Sequence, residues 1–284
     1  MSYKSPLVSV IIPTFNRLEL LQESLDSVIA QSYKNYEIII IDDNSTENIE
    51  LFLNGYLQKY KFLYYKNSKN RGASSCRNKG TEIANGEFVT FLDSDDVMLE
   101  KKIELLVKEA IISDADYIYG GWQWVNFDTN NVVATRKPNK SNGLIDCLPR
   151  WCYNIVPDLV KTSVMRSQKF NPDIKSHELF DFTICMFKDY KVAYIPVIIS
   201  KFRDHRGERN SSNNRGKIVA IDFLFENHLD YLEKQKAFSS KLKLSQGIYS
   251  RDNKIGNPRK NILEAIKLNP LNYRAYYHLI KTFS

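Results

Sequence analysis

Long apolar runs are absent from this 284-residue sequence. Its longest aliphatic stretches, such as Ile38 to Ile41, are strand-sized, far below the roughly 20 residues of a membrane span. The opening residues, Met1 to Pro6, are too short and polar to serve as a secretion signal. A cytoplasmic chain, or one attached peripherally at the inner face of the membrane, is the expectation. Cysteine is scarce and unpatterned. Cys76, Cys147, Cys152 and Cys185 form no CxxC pair, which argues against a zinc site or a disulfide scaffold and fits isolated thiols in a reducing compartment. No zinc finger, helix-turn-helix or RNA-binding aromatic signature accompanies the positive charge, so nucleic acid is not an expected partner.

The chain does hold enough apolar residues, 43% against 26% charged, to bury one sizeable α/β domain with a tail. Its formal charge of +7 points to anionic partners or to a solvated basic surface. Seventeen tyrosines and fifteen phenylalanines supply stacking surfaces without choosing a ligand.

The first half alternates strand and helix signals at short spacing, the pattern of βαβ units and a mainly parallel sheet. Leu7 to Ile12 reads as a strand closed by Pro13. Asn16 and Glu19 have the spacing of a reciprocal helix cap, and Leu18, Leu21, Leu25 and Val28 form the buried stripe of that helix. Further strands are expected at Glu37 to Ile41, Phe62 to Tyr65, Glu87 to Leu92 and Tyr117 to Phe127. Helices are expected at Thr46 to Tyr60, Gly72 to Ala84 and Leu99 to Ser113. Val132 to Thr135 reads as a returning hairpin strand. Glu178 to Lys188 reads as a helix, and Val192 to Phe202 as a strand broken by Pro196. Residues Arg203 to Lys217 read as a basic loop, with lysine-rich helices from Ile218. Leu263 to Leu279 resembles half of a tetratricopeptide unit, which cannot stack alone and reads as a helical hairpin.

Ligands of open parallel sheets bind beyond the carboxyl ends of the strands. Three polar clusters fall there: Pro13-Thr14-Phe15-Asn16, Asp42-Asp43-Asn44-Ser45 and Asp93-Ser94-Asp95-Asp96. Any one alone reads as turn or cap chemistry; their convergence indicates a site. Together with Val8 to Arg17, Asn70-Arg71-Gly72, Arg77-Asn78 and Phe91-Leu92, these segments resemble the family-2 inverting glycosyltransferases in order and spacing. The likeness is specific over residues 7 to about 115, looser from 116 to 205 and weak beyond.

The resemblance implies a GT-A-type fold: an α/β catalytic domain over 1–215 with a nucleotide-sugar-binding half (1–115) and an acceptor-binding half (116–215). A C-terminal helical extension occupies 216–284. It also implies a nucleotide-sugar donor, usually UDP-linked, a Mn²⁺ or Mg²⁺ ion, and direct displacement with inversion. Pro13, Phe15, Asp43, Arg71, Arg77, Asp93 and Ser94 fall at the donor positions. Phe15 can flank a nucleobase or simply pack, and Asp43 can accept from a base N–H. Arg71 and Arg77 can neutralise the diphosphate or, for Arg77, pair with an aspartate. Asp95 is the implied direct metal ligand, with Asp93 on the ribose or a metal-bound water. Asp96 reads as a cap of the next helix. His205, in a basic loop with Arg206 and Arg209, is a further candidate metal ligand.

Displacement needs a general base for the acceptor hydroxyl. The family places an acidic pair at the matching helix start, but here Leu179 stands in the second acid's position. Glu178 is the first candidate base, Asp181 the second or a supporting ligand, and His177 the third, although it reads first as an ordinary surface histidine. Trp122 and Trp124 share one strand face and read as a sugar platform or as core. The implied acceptor is a glycan or lipid-linked glycan hydroxyl of the kind met in surface polysaccharide, capsule or lipopolysaccharide synthesis. The basic C-terminal region could rest on an anionic membrane. A catalytically impaired nucleotide-sugar binder is the alternative that Leu179 raises. A sugar nucleotidyltransferase would want a glycine-rich loop after the first strand, and that loop is missing.

Overall fold

A computed structural model of the chain describes residues 5–57, 59–60, 62–139, 157–174, 176–204 and 213–283. These fall into two compact units. The described residues up to 139, with 157–172 and 185–204, form the first; 173–184 and 213–283 form the second.

The first unit holds a mixed sheet. Its strands are β1 (Val8–Thr14), β2 (Tyr36–Asp42), β3 (Phe62–Lys66), β4 (Phe88–Phe91), β5 (Val97–Met98), β6 (Tyr117–Asn126), β7 (Val132–Arg136), β8 (Leu159–Lys161) and β9 (Val192–Asp204). The order is β3-β2-β1-β4-β8-β6-β9-β5, with β7 on β6. The expected parallel pairing holds across β3, β2, β1 and β4. Beyond β4 the sheet turns mixed, because β8 runs antiparallel to both β4 and β6, while β9 runs parallel to β6.

Every residue of β1 is buried, as a continuous apolar strand covered on both faces must be. Period-two alternation sends Val8, Val10 and Ile12 into one core with Leu21, Leu25 and Val28 of α1 (Leu18–Ile29) and Ile103, Leu106 and Val107 of α4 (Lys102–Ser113). Each such side chain contributes roughly 1.5–3 kcal/mol by burial. Ile11 faces the other way, toward α3 (Ala73–Ile83), where a Cβ on Gly80 would stand 2.4 Å from the Ile11 side chain. Helix α2 (Ile49–Leu57) adds Ile49 and Leu53 to the first core. The short helix α5 (Thr162–Ser167) follows β8.

A buried ion pair ties the mixed side together. Lys102 Nζ lies 2.7 Å from Asp158 Oδ1 and donates to Ser200 Oγ at 2.9 Å, while Gly120 N donates to Asp158 Oδ2 at 2.9 Å. With both ends hydrogen-bonded, the charge pair fixes where four elements meet, and removing one partner would strand the other in the core. The Pro196 break does not occur. Tyr119 pairs Tyr194 and Gly121 already pairs Ile198, so a bulge absorbs the proline and the strand continues.

The second unit contains the start of α6 (Glu178–Asp189), then α7 (Asn214–Asn227), α8 (Leu229–Lys234), α9 (Lys236–Asp252), α10 (Pro258–Leu268) and α11 (Tyr273–Ile280). Helix α7 begins four residues earlier than expected because Asn213 caps it, accepting from Gly216 N at 2.9 Å. The expected domain boundary at 215 therefore falls inside this helix. Asn257 caps α10 in the same way, with Pro258 in its first turn. Helices α10 and α11 form the expected hairpin, closed by Ile262, Ala265 and Ala275 with Leu244 of α9. No helix among the described residues is long and apolar enough to cross a membrane.

Candidate active site

The site begins where β1 outruns β4. Leu92 N donates to Ile11 O at 3.1 Å as the last bond on that side. Pro13, two residues on, has the same orientation and no N–H to offer. Its place inside an inner strand is therefore tolerated: the missing donor faces a position with no strand beside it. Asn16 then takes φ +49°, a left-handed turn that asparagine accepts readily. It does not cap α1, contrary to the sequence expectation. Its Oδ1 instead accepts from Thr46 N at 2.8 Å, and its own N donates to Ser45 Oγ at 2.9 Å. Glu47 serves α1 in its stead, its carboxylate taking Leu18 N at 3.0 Å, where negative charge favours a helix N-terminus. The loops after β1 and β2 are thereby stitched together.

Asp43 is 4% exposed and holds a third loop to the same edge. Its Oδ1 accepts from Asn67 Nδ2 and Arg71 N, both at 2.8 Å, and its Oδ2 from Gly72 N at 2.7 Å. Gly72 sits at φ +87°, which a side chain would strain. It stands just before α3, and the turn it permits delivers two successive amides, those of Arg71 and Gly72, to one carboxylate. A carboxylate offers about four acceptor positions, and the Cys76 thiol is the fourth group hydrogen-bonded to this one. Cys76, beside Asp43, is buried and its thiol is pushed up by burial and by the Asp43 charge, which keeps it protonated. Arg71 is exposed and lines a cleft of about 390 Å³ with Asn67, Tyr65, Ser75, Lys79 and Lys169.

The acidic cluster follows β4. Asp93, Asp95 and Asp96 each bring a carboxylate oxygen within 4.8 Å of the others. Arg77 Nη2 meets Asp93 Oδ1 at 2.7 Å, with its side chain 3% exposed and its guanidinium 5.7 Å from the Phe170 ring. Arg17 Nη1 meets Asp95 Oδ2 at 2.7 Å. Asp96 does not cap α4, which starts at Lys102. Its Oδ1 accepts from Arg203 N at 3.0 Å. Burial, then the charges of Asp95 and Asp93, hold its carboxyl well above the usual range. Arg203 Nε donates to Asp95 O at 2.5 Å, its guanidinium also meets Glu23, and it lies 5.5 Å from the Phe127 ring. Crowded hard oxygens that raise one another's proton affinity fit a small divalent cation.

On the second unit, α6 opens with Glu178, which is buried, as are Leu179 and Asp181. His228 Nε2 donates to Asp181 Oδ1 at 2.7 Å. His177 stands just before the helix at φ +60°, 4.8 Å from the Phe180 ring and 6.4 Å from that of Tyr249. Burial, assisted by the Lys217 charge, pulls its imidazole down to about 3.

Of the residues singled out in the sequence, Pro13, Phe15, Asp43, Arg71, Arg77, Asp93, Ser94 and Asp95 all belong to the first unit, at the ends of β1, β2 and β4, on the loop before α3 or, for Arg77, within α3. Phe15 is 42% exposed and Ser94 is buried. Glu178 and Asp181 belong to the second unit. His205, like Arg206 and Arg209, lies outside the described residues. Trp122 is buried against Phe202, 5.7 Å between rings, and serves as core. Three contributors carried no assigned role: Arg17, Asn67 and Arg203. Arg17 sits next to Asn16 in the first polar cluster, and that adjacency was a usable signal. Arg203 reaches the acids from 107 residues away, a pairing that only the sheet order reveals.

Comparison with known proteins agrees with this geometry. Residues 9–175 match the model of glycosyl transferase family 2. An uncharacterized glycosyltransferase of Rickettsia felis is 30% identical over 69% of this chain, which spans only 33% of that relative. WfgD of Escherichia coli, a UDP-Glc:alpha-D-GlcNAc-diphosphoundecaprenol beta-1,3-glucosyltransferase, is 30% identical over 54% of this chain and 60% of its own. Among solved structures, S. aureus TarS 1-349 in complex with UDP-GlcNAc superposes with a TM-score of 0.66 at 19% identity, over 96% of this chain and 88% of that one. Mannosyltransferase PcManGT of Pyrobaculum calidifontis, in complex with GDP-Man and Mn²⁺, gives 0.60 at 17%, over 99% and 80%. The mixed sheet and flanking helices are those of the GT-A fold, and the chain belongs to glycosyl transferase family 2.

Proposed function

We propose that this chain transfers a sugar, a hexose or N-acetylhexosamine, from a UDP-linked donor to a hydroxyl of a glycan acceptor, with inversion and with Mn²⁺ or Mg²⁺. The observation that carries the reading is the acidic cluster after β4, with an arginine on each of Asp93 and Asp95. Asp95 and Asp93 would hold the cation, which when bound offsets charge on the departing diphosphate. Phe15, exposed near Pro13, offers a face to the base, and Asp43 would accept a base N–H in place of the Cys76 thiol. Arg71 offers charge to the diphosphate, and Ser94 a backbone close to it. Arg77 orients Asp93. Glu178 takes the acceptor proton; Asp181, engaged by His228, steadies the first turn of α6. His205 would add a ligand from the basic loop. The donor types named for TarS and WfgD, and the Mn²⁺ of PcManGT, support these choices.

A lipid-linked glycan acceptor of surface polysaccharide, capsule or lipopolysaccharide assembly, met at the inner face of the membrane, completes the reading. The catalytic domain is taken as residues 1–215 and the extension as 216–284. The test is a nucleotide-sugar panel read by thermal melting with Mn²⁺. At a hundredfold excess over Kd, linkage adds about 2.7 kcal/mol, a rise of several degrees that chelator should erase. No shift with any nucleoside diphosphate would sink the donor site. A second reading, a nucleotide-sugar binder without turnover, draws on Leu179, 1% exposed where an acid is expected. Donor binding without transfer or hydrolysis would favour it.

A further inference from the structure

The two arginines on the acidic pair are held differently. Arg77 is sealed, 3% exposed, between Asp93 and the Phe170 ring. Arg17 is 30% exposed and reaches a carboxylate that is itself 16% exposed. Its backbone is fixed, since Arg17 O accepts Leu21 N at 2.9 Å to start α1, so only its side chain can travel. The backbone that carries the acids is held independently of it. Arg203 holds Asp95 O, and Asp96 N donates to Asp93 O at 3.0 Å, which clamps the loop.

We propose that Arg17 is a movable counter-ion: it occupies an oxygen of Asp95 while no cation is bound, yields that oxygen to the cation, and then pairs with the nucleoside diphosphate. The proposal rests on the metal reading above. A guanidinium and a divalent cation compete for the same carboxylate lone pairs. A guanidinium also exchanges a carboxylate for a phosphate without losing charge-assisted bonding. Cation alone therefore binds against Arg17. Cation and diphosphate together bind cooperatively, because the displaced side chain finds a new anion, and the coupling is reciprocal.

Manganese binding followed by electron paramagnetic resonance, with and without UDP, tests this on the full chain. Wild type should bind Mn²⁺ weakly alone and about tenfold more tightly with UDP. Arg17→Gln should bind Mn²⁺ alone roughly fivefold more tightly than wild type, the scale of a part-exposed ion pair, and lose most of the UDP-linked gain. Arg17→Lys, which keeps a mobile cation, should retain the wild-type order, and thermal melting checks that both variants fold. Unchanged or weaker Mn²⁺ binding in Arg17→Gln overturns the proposal while the metal reading stands, as does an Arg17→Lys protein that behaves like Arg17→Gln. Wild type that binds no Mn²⁺, with or without UDP, removes the metal reading and this proposal with it.

Discussion

Asp43 in the first unit and His177 in the second are buried to nearly the same degree, 4% and 3% exposed, yet their surroundings treat charge in opposite ways. Asp43 collects three N–H donors. His177 lies against Phe180 and Tyr249, and its Nε2 has no hydrogen-bond partner among the described residues. One environment surrounds a carboxylate with donors, the other keeps a cation from forming. Burial alone thus does not mark a charged site; the supply of partners does.

The largest effect should come from the most charge-dense part of the first unit. Asp95→Ala is expected to lower metal-dependent transfer by about a thousandfold or more, given the several kcal/mol a metal supplies at a departing diphosphate, with the melting temperature little changed. Undiminished turnover would remove Asp95 as a ligand. On the second unit, Glu178→Gln should cost roughly 10²–10⁴ in kcat, while Asp181→Asn, which keeps an acceptor for His228, should cost far less. The reverse order would transfer the role of base to Asp181.

Stability sharpens the contrast further. Asp43→Ala leaves three donors facing an apolar methyl, and urea denaturation should register a loss of about 3 kcal/mol. A loss under about 1 kcal/mol would mean that the loop before α3 is held elsewhere. Near neutral pH the smallest effect is at His177, where the change shows only on acidification. Its folded pKa is depressed to about 3 against about 6.5 when unfolded. The unfolded chain therefore binds the extra proton between those values, and stability present above pH 6.5 is lost as pH falls toward 3. His177→Asn, which suits the positive φ, should flatten that slope by up to about one proton; an unchanged slope would place the acid sensitivity in other groups.

The parallel half was legible because its signals are local. Ile38 to Ile41 can be little other than an inner strand, and the acids that end β2 and β4 follow their strands directly. The rest was set by contacts across the chain. Leu159–Lys161 becomes a strand through its pairing with β4 and β6, with too few residues to show a period. Asn16 looked like a cap because the capping pattern is local, but its partner is Thr46. Pro196 looked like a break because a bulge is invisible until the neighbouring strand is known. Within the site, Asp43 and Asp93 were readable as types, whereas Arg203 was not, since its targets lie on another strand connection.

That last residue has a consequence for synthesis on the ribosome. Arg203 supplies the N–H to Asp96 and the guanidinium to the Asp95 carbonyl. The turn after β4 is thus translated early and braced late, once β9 emerges. A nascent chain ending before that strand would carry every acid of the cluster, with Arg17 and Arg77 on two of them, but without the Arg203 contacts, so the turn is fully braced only late in the domain's assembly.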